Sequence, residues 1–336
     1  MAELRRDPIV GRWVIVDTDH PSKPEDFERE EHTFKSGDCP FCYGNEAFTP
    51  GEIEAIRDPS THPNAPGWQV RAVANKFPAL QIEGEIERRG YGLYDTSNGI
   101  GAHEIIIQTP YHHKEIPDLE DYEVENILKM YCRRMSDLRK DNRFKYILLF
   151  KNYGPSAGAS LEHPHTQLIA LPMIPKNVQE ELDGAFHYFE YRERCIFCDI
   201  IRQEIQEKER IIFENRHFVA FCPYVSKFAF EVWVTPKKHQ DAFCLMNPEQ
   251  IQELAKILKS TLARINEVLY QPAYNFIIHT APLNVEHREG FHWHIEIMPK
   301  LTRVAGFEWG SGFYMVSTPP ELAAKYLTNS KSSVKI

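Results

Sequence analysis

His163, His165 and Gln167 stand two residues apart in the run His163-Pro164-His165-Thr166-Gln167-Leu168-Ile169-Ala170-Leu171-Pro172. Strand alternation predicts all three on one face, with Pro164, Leu168 and Ala170 on the other. Imidazoles in such a pair can attack an electrophile, bind a metal or satisfy buried polar neighbours, and the pair alone leaves all three open. Upstream, Asn152-Tyr153-Gly154-Pro155-Ser156-Ala157-Gly158-Ala159-Ser160 is a stretch of small residues. Such a loop lets backbone N–H groups close around an anion such as phosphate. Imidazoles beside an anion cradle point to phosphorus chemistry.

Two Cys-x-x-Cys pairs point to metal as well. Cys39-Pro40-Phe41-Cys42 could be redox-active or structural, but it lacks the βαβ setting of a thioredoxin-like motif, which favours metal. Cys195-Ile196-Phe197-Cys198 repeats it. After each pair comes a Thr-Pro with histidines, Thr109-Pro110-Tyr111-His112-His113 and Thr235-Pro236-Lys237-Lys238-His239, and then a His-x-His. This sorts eight residues into two Cys2His2 sets: Cys39, Cys42, His112 and His163, and Cys195, Cys198, His239 and His292. Strict alignment of the two copies would choose His113 over His112. Four thiolate and imidazole ligands suit tetrahedral structural zinc and leave no open position for water. The plainer alternative for the second set is a cysteine pair near unrelated core histidines.

The elements that must hold these residues recur in the same order. Gln69–Pro78 reads as a strand ending in a turn and Gly101–Ile107 as another strand. Val124, Ile127, Tyr131, Met135 and Leu138 have helical spacing, and Tyr146–Phe150 is a buried strand. In the second copy Glu231–Val234 is a strand. Asn247-Pro248-Glu249-Gln250 is a helix start with its cap, and Ile251, Leu254, Leu258, Leu262, Ile265 and Leu269 form an apolar stripe. Tyr274–Ile278 is the next strand, and Phe291–Pro299 closes the copy. Thr109 precedes His163 by 54 residues and Thr235 precedes His292 by 57; Tyr146 precedes His163 by 17 and Tyr274 precedes His292 by 18. Two accidental motifs would not share this order, so the chain reads as a duplicated α+β unit, residues 1–178 and 190–336. The Cys-x-x-Cys to Thr-Pro interval is 67 residues in the first copy and 37 in the second, so the first carries an insertion.

A chain of 336 residues can bury a sizeable core in two such units. The net charge of −9 argues against nucleic acid as a partner. The N-terminus has no apolar signal region and no run is long enough to span a membrane, so the expected compartment is the cytoplasm. There the seven cysteines are metal ligands or reduced thiols, with Cys132, Cys222 and Cys244 read as ordinary buried ones.

Several of these motifs belong together. Cys-x-x-Cys, Thr-Pro-x-His, Asn152 with its loop, and His-Pro-His-x-Gln, framed by Arg6-Asp7-Pro8 with Trp13–Val16 and by Ala305-Gly306-Phe307-Glu308, span nearly the whole chain. In them the chain resembles the galactose-1-phosphate uridylyltransferase family, the transferase branch of the histidine-triad superfamily. The resemblance implies a HIT-like α+β fold, a tandem duplication of an antiparallel-sheet-plus-helix unit. It implies that His165 is the nucleophile, that Gln167 contacts the transferred phosphoryl group, and that Cys39, Cys42, His112 and His163 bind zinc; here the family comparison favours His112. It further implies that Asn152, Gly158, Ala159 and Ser160 line the phosphates, that Phe41, Asn75 and Phe77 lie near base and ribose, and that Glu308 meets sugar hydroxyls. A sister branch resembling sugar-nucleotide phosphorylases holds a second zinc at a second Cys-x-x-Cys, which Cys195 and Cys198 fit. Some relatives instead place iron at a carboxylate and three histidines, and His279, His292 and His294 occupy those positions. A homodimer with active sites near the subunit contact is implied too. The chain departs from relatives in having His20 and Lys23 where two arginines are usual, and Ala159 where cysteine often precedes the loop serine.

An imidazole near its ordinary pKa of about 6.5 is largely neutral at cytoplasmic pH, so one nitrogen can attack phosphorus without a separate base. His165 would displace a sugar phosphate from a nucleotide sugar, and a sugar 1-phosphate would then attack the nucleotidyl-histidine, a ping-pong exchange. Gln167 can only donate and accept hydrogen bonds. That suits transfer between phosphates, already anionic, better than hydrolysis by water. The second copy has Glu296 in its place and no small-residue loop before His292, so it reads as structural. The expected activity is hexose-1-phosphate nucleotidyl transfer, most simply between UDP-glucose and galactose 1-phosphate. The alternative is an ADP-glucose or other nucleotide-sugar phosphorylase, since no residue selects uracil over adenine. From a different class comes a zinc scaffold without catalysis.

Overall fold

The computed structural model describes residues 1–30, 39–284 and 288–331. The chain begins with an antiparallel pair, β1 (Glu3–Arg6) and β2 (Trp13–Val16), in which alternation buries Val14 and Val16. The first copy of the repeat contains β3 (Glu52–Arg57), β4 (Trp68–Ala74), a hairpin of β5 (Arg88–Tyr91) and β6 (Tyr94–Ser97), β7 (Ala102–Ile107), helix α1 (Asp121–Leu138), β8 (Tyr146–Tyr153) and β9 (His165–Leu171). Helices α2 (Lys176–Arg192) and α3 (Ile196–Glu207) lead into the second copy: β10 (Ile211–Glu214), β11 (Phe218–Phe221), β12 (Val232–Pro236), α4 (Pro248–Leu269), β13 (Tyr274–His279) and β14 (His294–Pro299). After α5 (Gly306–Ser311), β15 (Tyr314–Val316) pairs in parallel with β2, and α6 (Pro320–Thr328) follows.

Ten of these strands form one antiparallel sheet in the order β10-β11-β12-β14-β13-β8-β9-β7-β4-β3. From its middle outward the copies mirror each other: β8, β9, β7, β4, β3 on one side and β13, β14, β12, β11, β10 on the other. The duplicated α+β architecture expected from the repeat is therefore present, and the copies share a sheet. They join where β8 pairs with β13, with Asn152 opposite Asn275. The β5–β6 hairpin lies within the longer interval of the first copy.

Both apolar stripes are helices. In α1, Val124, Ile127, Tyr131, Met135 and Leu138 are buried; in α4, Ile251, Leu254, Leu258, Leu262, Ile265 and Leu269 are. α4 starts as its sequence predicts: the Gln250 N–H donates to Asn247 Oδ1 and the Asn247 N–H to Gln250 Oε1, each at 2.9 Å, with Pro248 first in the helix. It stops at Tyr270, which takes the left-handed conformation at φ 58°. The two helices pack on each other and on one face of the sheet, where Ala72, Ile106, Leu168 and Ala170 join their core. Each such Leu or Ile contributes about 1.5–3 kcal/mol on burial. The sheet's other face is covered too: Val73, Ile105 and Ile107 pack against Cys39, Phe41 and Trp68. Strands buried on both faces read as apolar runs, as Ile105–Ile107 of β7 does.

Among the described residues no helix is long and apolar enough to cross a membrane.

Candidate active site

The ligand atoms of Cys39, Cys42, His112 and His163 lie within 4.8 Å of one another, and so do those of Cys195, Cys198, His239 and His292. His112, not His113, completes the first set. Its Nδ1 is 3.2 Å from Cys42 Sγ, and His163 Nδ1 is 3.5 Å from the same sulfur. In the second set the Nδ1 atoms of His239 and His292 are each 3.5 Å from Cys198 Sγ. His163 donates its Nε2–H to the Thr109 carbonyl at 2.8 Å, and His292 donates its own to the Pro236 carbonyl at 2.9 Å. Each Thr-Pro segment thus keeps an Nδ1 bare and aimed at the sulfurs, the form a metal takes. Two thiols and two oriented imidazoles are a donor set that fits a tetrahedral ion such as zinc.

His163 and His165 flank Pro164, and both meet the Phe41 ring, centroids 6.0 and 5.4 Å away. β9 begins at His165, so strand alternation joins His165 to Gln167 while His163, ahead of the strand, turns to the cysteines. His165 donates its Nδ1–H to the His163 carbonyl at 2.8 Å, which leaves Nε2 with a free lone pair. Burial pushes the His165 imidazole down to about 4, and the Lys151 ammonium pushes the same way, so the ring is neutral near pH 7. The Phe41 ring stands edge-on to it, centroids 5.4 Å apart.

His165 lines a cavity of about 270 Å³ together with Asn152, Gly154, Ala159, Ser160 and His163. Gly154 and Gly158, at φ 81° and 86°, flank the single turn Pro155–Ala157. A Cβ on Gly154 would lie 2.7 Å from that of Ala273, so the second copy's close approach also requires glycine there. Asn275 of β13 donates from Nδ2 to Asn152 Oδ1 at 2.8 Å and to the Ala157 carbonyl at 2.9 Å. The second copy thereby holds the first copy's loop and leaves the Asn152 NH2 end free to donate. The loop binds one anion already: the Ser156 N–H and hydroxyl donate to Glu30 at 3.0 and 3.1 Å.

A neutral imidazole and a small-residue loop line one cavity beside a Cys2His2 set, and a second Cys2His2 set stands in the mirrored copy. The family model for the galactose-1-phosphate uridyl transferase N-terminal domain matches residues 1–175, and that for its C-terminal domain residues 181–317. The chain belongs to the galactose-1-phosphate uridyl transferase family. Members of that family are nucleotidyl-transferring enzymes, and this chain is one of them. It is 35% identical to the ADP-glucose phosphorylase of Arabidopsis thaliana, over 97% of this chain and 92% of that protein. It is 27% identical to the galactose-1-phosphate uridylyltransferase of Thermotoga maritima, over 99% of this chain and 100% of that one. Among solved structures, the Arabidopsis ADP-glucose phosphorylase with bound ADP-glucose superposes with a TM-score of 0.82 at 34% identity, covering 98% of this chain and 99% of that one. A uridylyltransferase superposes at 0.76 and 28% identity, covering 98% of each.

Other residues singled out by resemblance to this transferase family are placed less centrally. Phe77 is 83% exposed, and neither it nor Asn75 lines the His165 cavity. Glu308 accepts the Ala305 N–H at 2.9 Å as a cap of α5, also outside that cavity. The family-derived trio His279, His292 and His294 is split: His292 sits with the cysteines, while His279 and His294 form a third group with Glu181 and Glu296. There His279 spans both carboxylates, Nδ1 3.0 Å from Glu181 and Nε2 3.4 Å from Glu296. Against the cost of burial, those carboxylates hold it up to about 10. Lys227 donates to Glu296 at 2.8 Å, so this group balances two carboxylates with two cations of its own. His294, the second copy's counterpart of His165, is stacked between Trp233 and His279, ring centroids 4.5 and 4.8 Å away.

Sequence reasoning missed a buried polar network below β9. Lys151 donates to Gln108 Oε1 at 2.6 Å and pairs with Glu115 at 2.8 Å. Gln108 in turn donates to the Tyr131 and Thr166 hydroxyls at 2.6 and 2.8 Å. The one available signal was a lysine inside the apolar run of β8.

Proposed function

We propose that the protein moves a nucleotidyl group from a nucleotide sugar to a phosphate acceptor in two displacements at His165. The observation that carries this reading is the bare, neutral Nε2 of His165 in the same cavity as the 152–160 loop. In the first displacement Nε2 bonds to the α-phosphorus and the bond to the sugar phosphate breaks, its electron pair leaving on an anionic oxygen. In the second an acceptor phosphate oxygen bonds to phosphorus and the nitrogen–phosphorus pair returns to the ring. Neither leaving group needs a proton, which suits an amide at Gln167. Asn152, Gly158, Ala159 and Ser160 would bind the phosphates, Phe41, Asn75 and Phe77 the nucleoside, and Glu308 the sugar hydroxyls.

The family supports uridylyl transfer from UDP-glucose to a hexose 1-phosphate. A second reading, ADP-glucose phosphorylase, draws on the higher identity to that Arabidopsis enzyme, 35% against 27%. Both Cys2His2 sets would hold structural zinc, which when bound ties the cysteine loops to the Thr-Pro segments. Iron would have to use the Glu181 group, where Lys227 already supplies charge. Units 1–178 and 190–336, a homodimer and a cytoplasmic location complete the proposal.

Incubating the protein separately with UDP-glucose and ADP-glucose, without acceptor, tests it by intact mass. An adduct of one nucleoside monophosphate, absent in His165→Ala, is the expected result, and its mass names the base. Discharge by galactose 1-phosphate or by inorganic phosphate then separates transferase from phosphorylase. No adduct from either donor in zinc-replete protein would count against this mechanism and point to another donor or to a non-catalytic scaffold.

A further inference from the structure

Gln167 is held by a histidine to which the mechanism above gives no part. His103 lies on β7 opposite Ile169, which places it diagonal to Gln167 on the same face of the sheet. The main-chain N–H of Ala79 points at His103 Nδ1 from 3.1 Å. A backbone N–H only donates, so Nδ1 carries no proton and the ring proton sits on Nε2. That proton has two neighbours. Gln167 Oε1 is 2.9 Å away. Asn75 Nδ2 is 3.0 Å away, but the Asn75 oxygen already takes the Phe77 N–H at 2.9 Å, so Asn75 offers no acceptor. The hydrogen bond therefore runs from His103 to the Gln167 oxygen.

We propose that His103 is a positioning residue: it engages the Gln167 oxygen and so keeps the amide's NH2 end free to donate to the transferred phosphoryl group. The chain of cause starts at one backbone amide. Ala79 N–H sets the His103 tautomer, the tautomer sets which end of Gln167 it can bind, and the remaining end is a donor. A phosphoryl group presents only acceptors, so the flipped amide would set oxygen against oxygen. Because Ala79 belongs to the segment that carries Asn75 and Phe77, His103 also ties that segment to the reacting strand. The inference rests on the nucleotidyl-transfer reading for what Gln167 does, but the tautomer itself does not depend on that reading.

Two replacements separate the two ring nitrogens. His103→Gln can place an NH2 group where Nε2 was; His103→Asn can place an oxygen where Nδ1 was but is too short to reach Gln167. Formation of the nucleotidyl enzyme in single turnover should slow about 10- to 100-fold in His103→Asn. The half-saturating donor concentration should move less than about threefold, and His103→Gln should recover most of the rate. In a Gln167→Ala background His103→Asn should cost nothing further. Additive losses, equal losses in the two replacements, or a rate loss that tracks a loss of bound zinc would overturn the proposal. The ring 15N shifts of His103 give a readout free of turnover: a bare Nδ1 and a protonated Nε2 are expected, and the reverse tautomer refutes the arrangement. Should the wild-type protein form no nucleotidyl enzyme, the functional reading fails, and the 15N shifts still decide how His103 holds Gln167.

Discussion

The ring of His165 is tied through Nδ1–H, at 2.8 Å, to the main-chain oxygen of His163, whose own side chain faces the cysteines. A residue of the candidate metal set thus fixes the tautomer of the imidazole two positions on. The covalent intermediate should accordingly be linked at Nε2, which phosphorus–nitrogen coupling in 15N-histidine protein would report. His165→Ala should lower its formation by at least about 10³-fold. Linkage at Nδ1, or an adduct persisting in the alanine variant, would contradict this.

The two Cys2His2 sets should differ in what they support. Elemental analysis should find two zinc ions per chain in the wild type and one in either Cys42→Ser or Cys198→Ser. The first substitution should slow nucleotidyl transfer, because His163 would hold the ion through its ring while its carbonyl sets the His165 tautomer. The second should lower the melting temperature while leaving the transfer rate within a few-fold. Equal rate losses in both would contradict the division.

Gln167 should tolerate no negative charge. Gln167→Glu sets a carboxylate against the phosphoryl oxygens, and single-turnover transfer should fall about 10²–10³-fold, on the scale of losing one transition-state donor. A glutamate variant as fast as wild type would remove Gln167 from the reaction.

Much of this was legible because it repeats. The near-equal intervals from Thr109 to His163 and from Thr235 to His292 pointed to one unit used twice, and the mirrored strand order bears that out. The stripes beginning at Val124 and Ile251 and the Asn247–Gln250 cap marked α1 and α4 because local spacing and capping are short-range properties. What stayed hidden depends on neighbours far off in the chain. His103 looked like one polar residue in an apolar strand until Ala79 and Gln167 flanked it. Resemblance to some relatives offered His279, His292 and His294 as an alternative ligand set, but the geometry leaves His292 with the cysteines, as the Cys2His2 reading has it, and puts the others with Glu181 and Glu296. Lys227 carries no motif at all, and its value lies in reaching Glu296.

Glu321 of α6 receives Arg5 Nη1 at 2.9 Å and Arg210 Nη1 at 3.0 Å, which joins both ends of the chain. Against the opposing effect of burial, these arginines hold its carboxyl below the ordinary glutamate value of about 4.3. The folded state therefore prefers the ionised form; its contribution is complete above the unfolded value and is lost as pH falls through the folded one. Glu321→Gln should cost about 1–2 kcal/mol in urea unfolding at neutral pH, with the gap to wild type closing as pH falls below the ordinary glutamate value. A gap that stays constant with pH would show that the charge is irrelevant.

The stacking of His294 between Trp233 and His279 sets the second copy's histidine apart from His165. His294 is 1% exposed and lies within ligand distance of the Glu181 and Glu296 carboxylates, which would repel an incoming phosphate. Symmetry of architecture therefore coexists with asymmetry of surroundings, and labelling by excess donor should saturate at one nucleotide per chain.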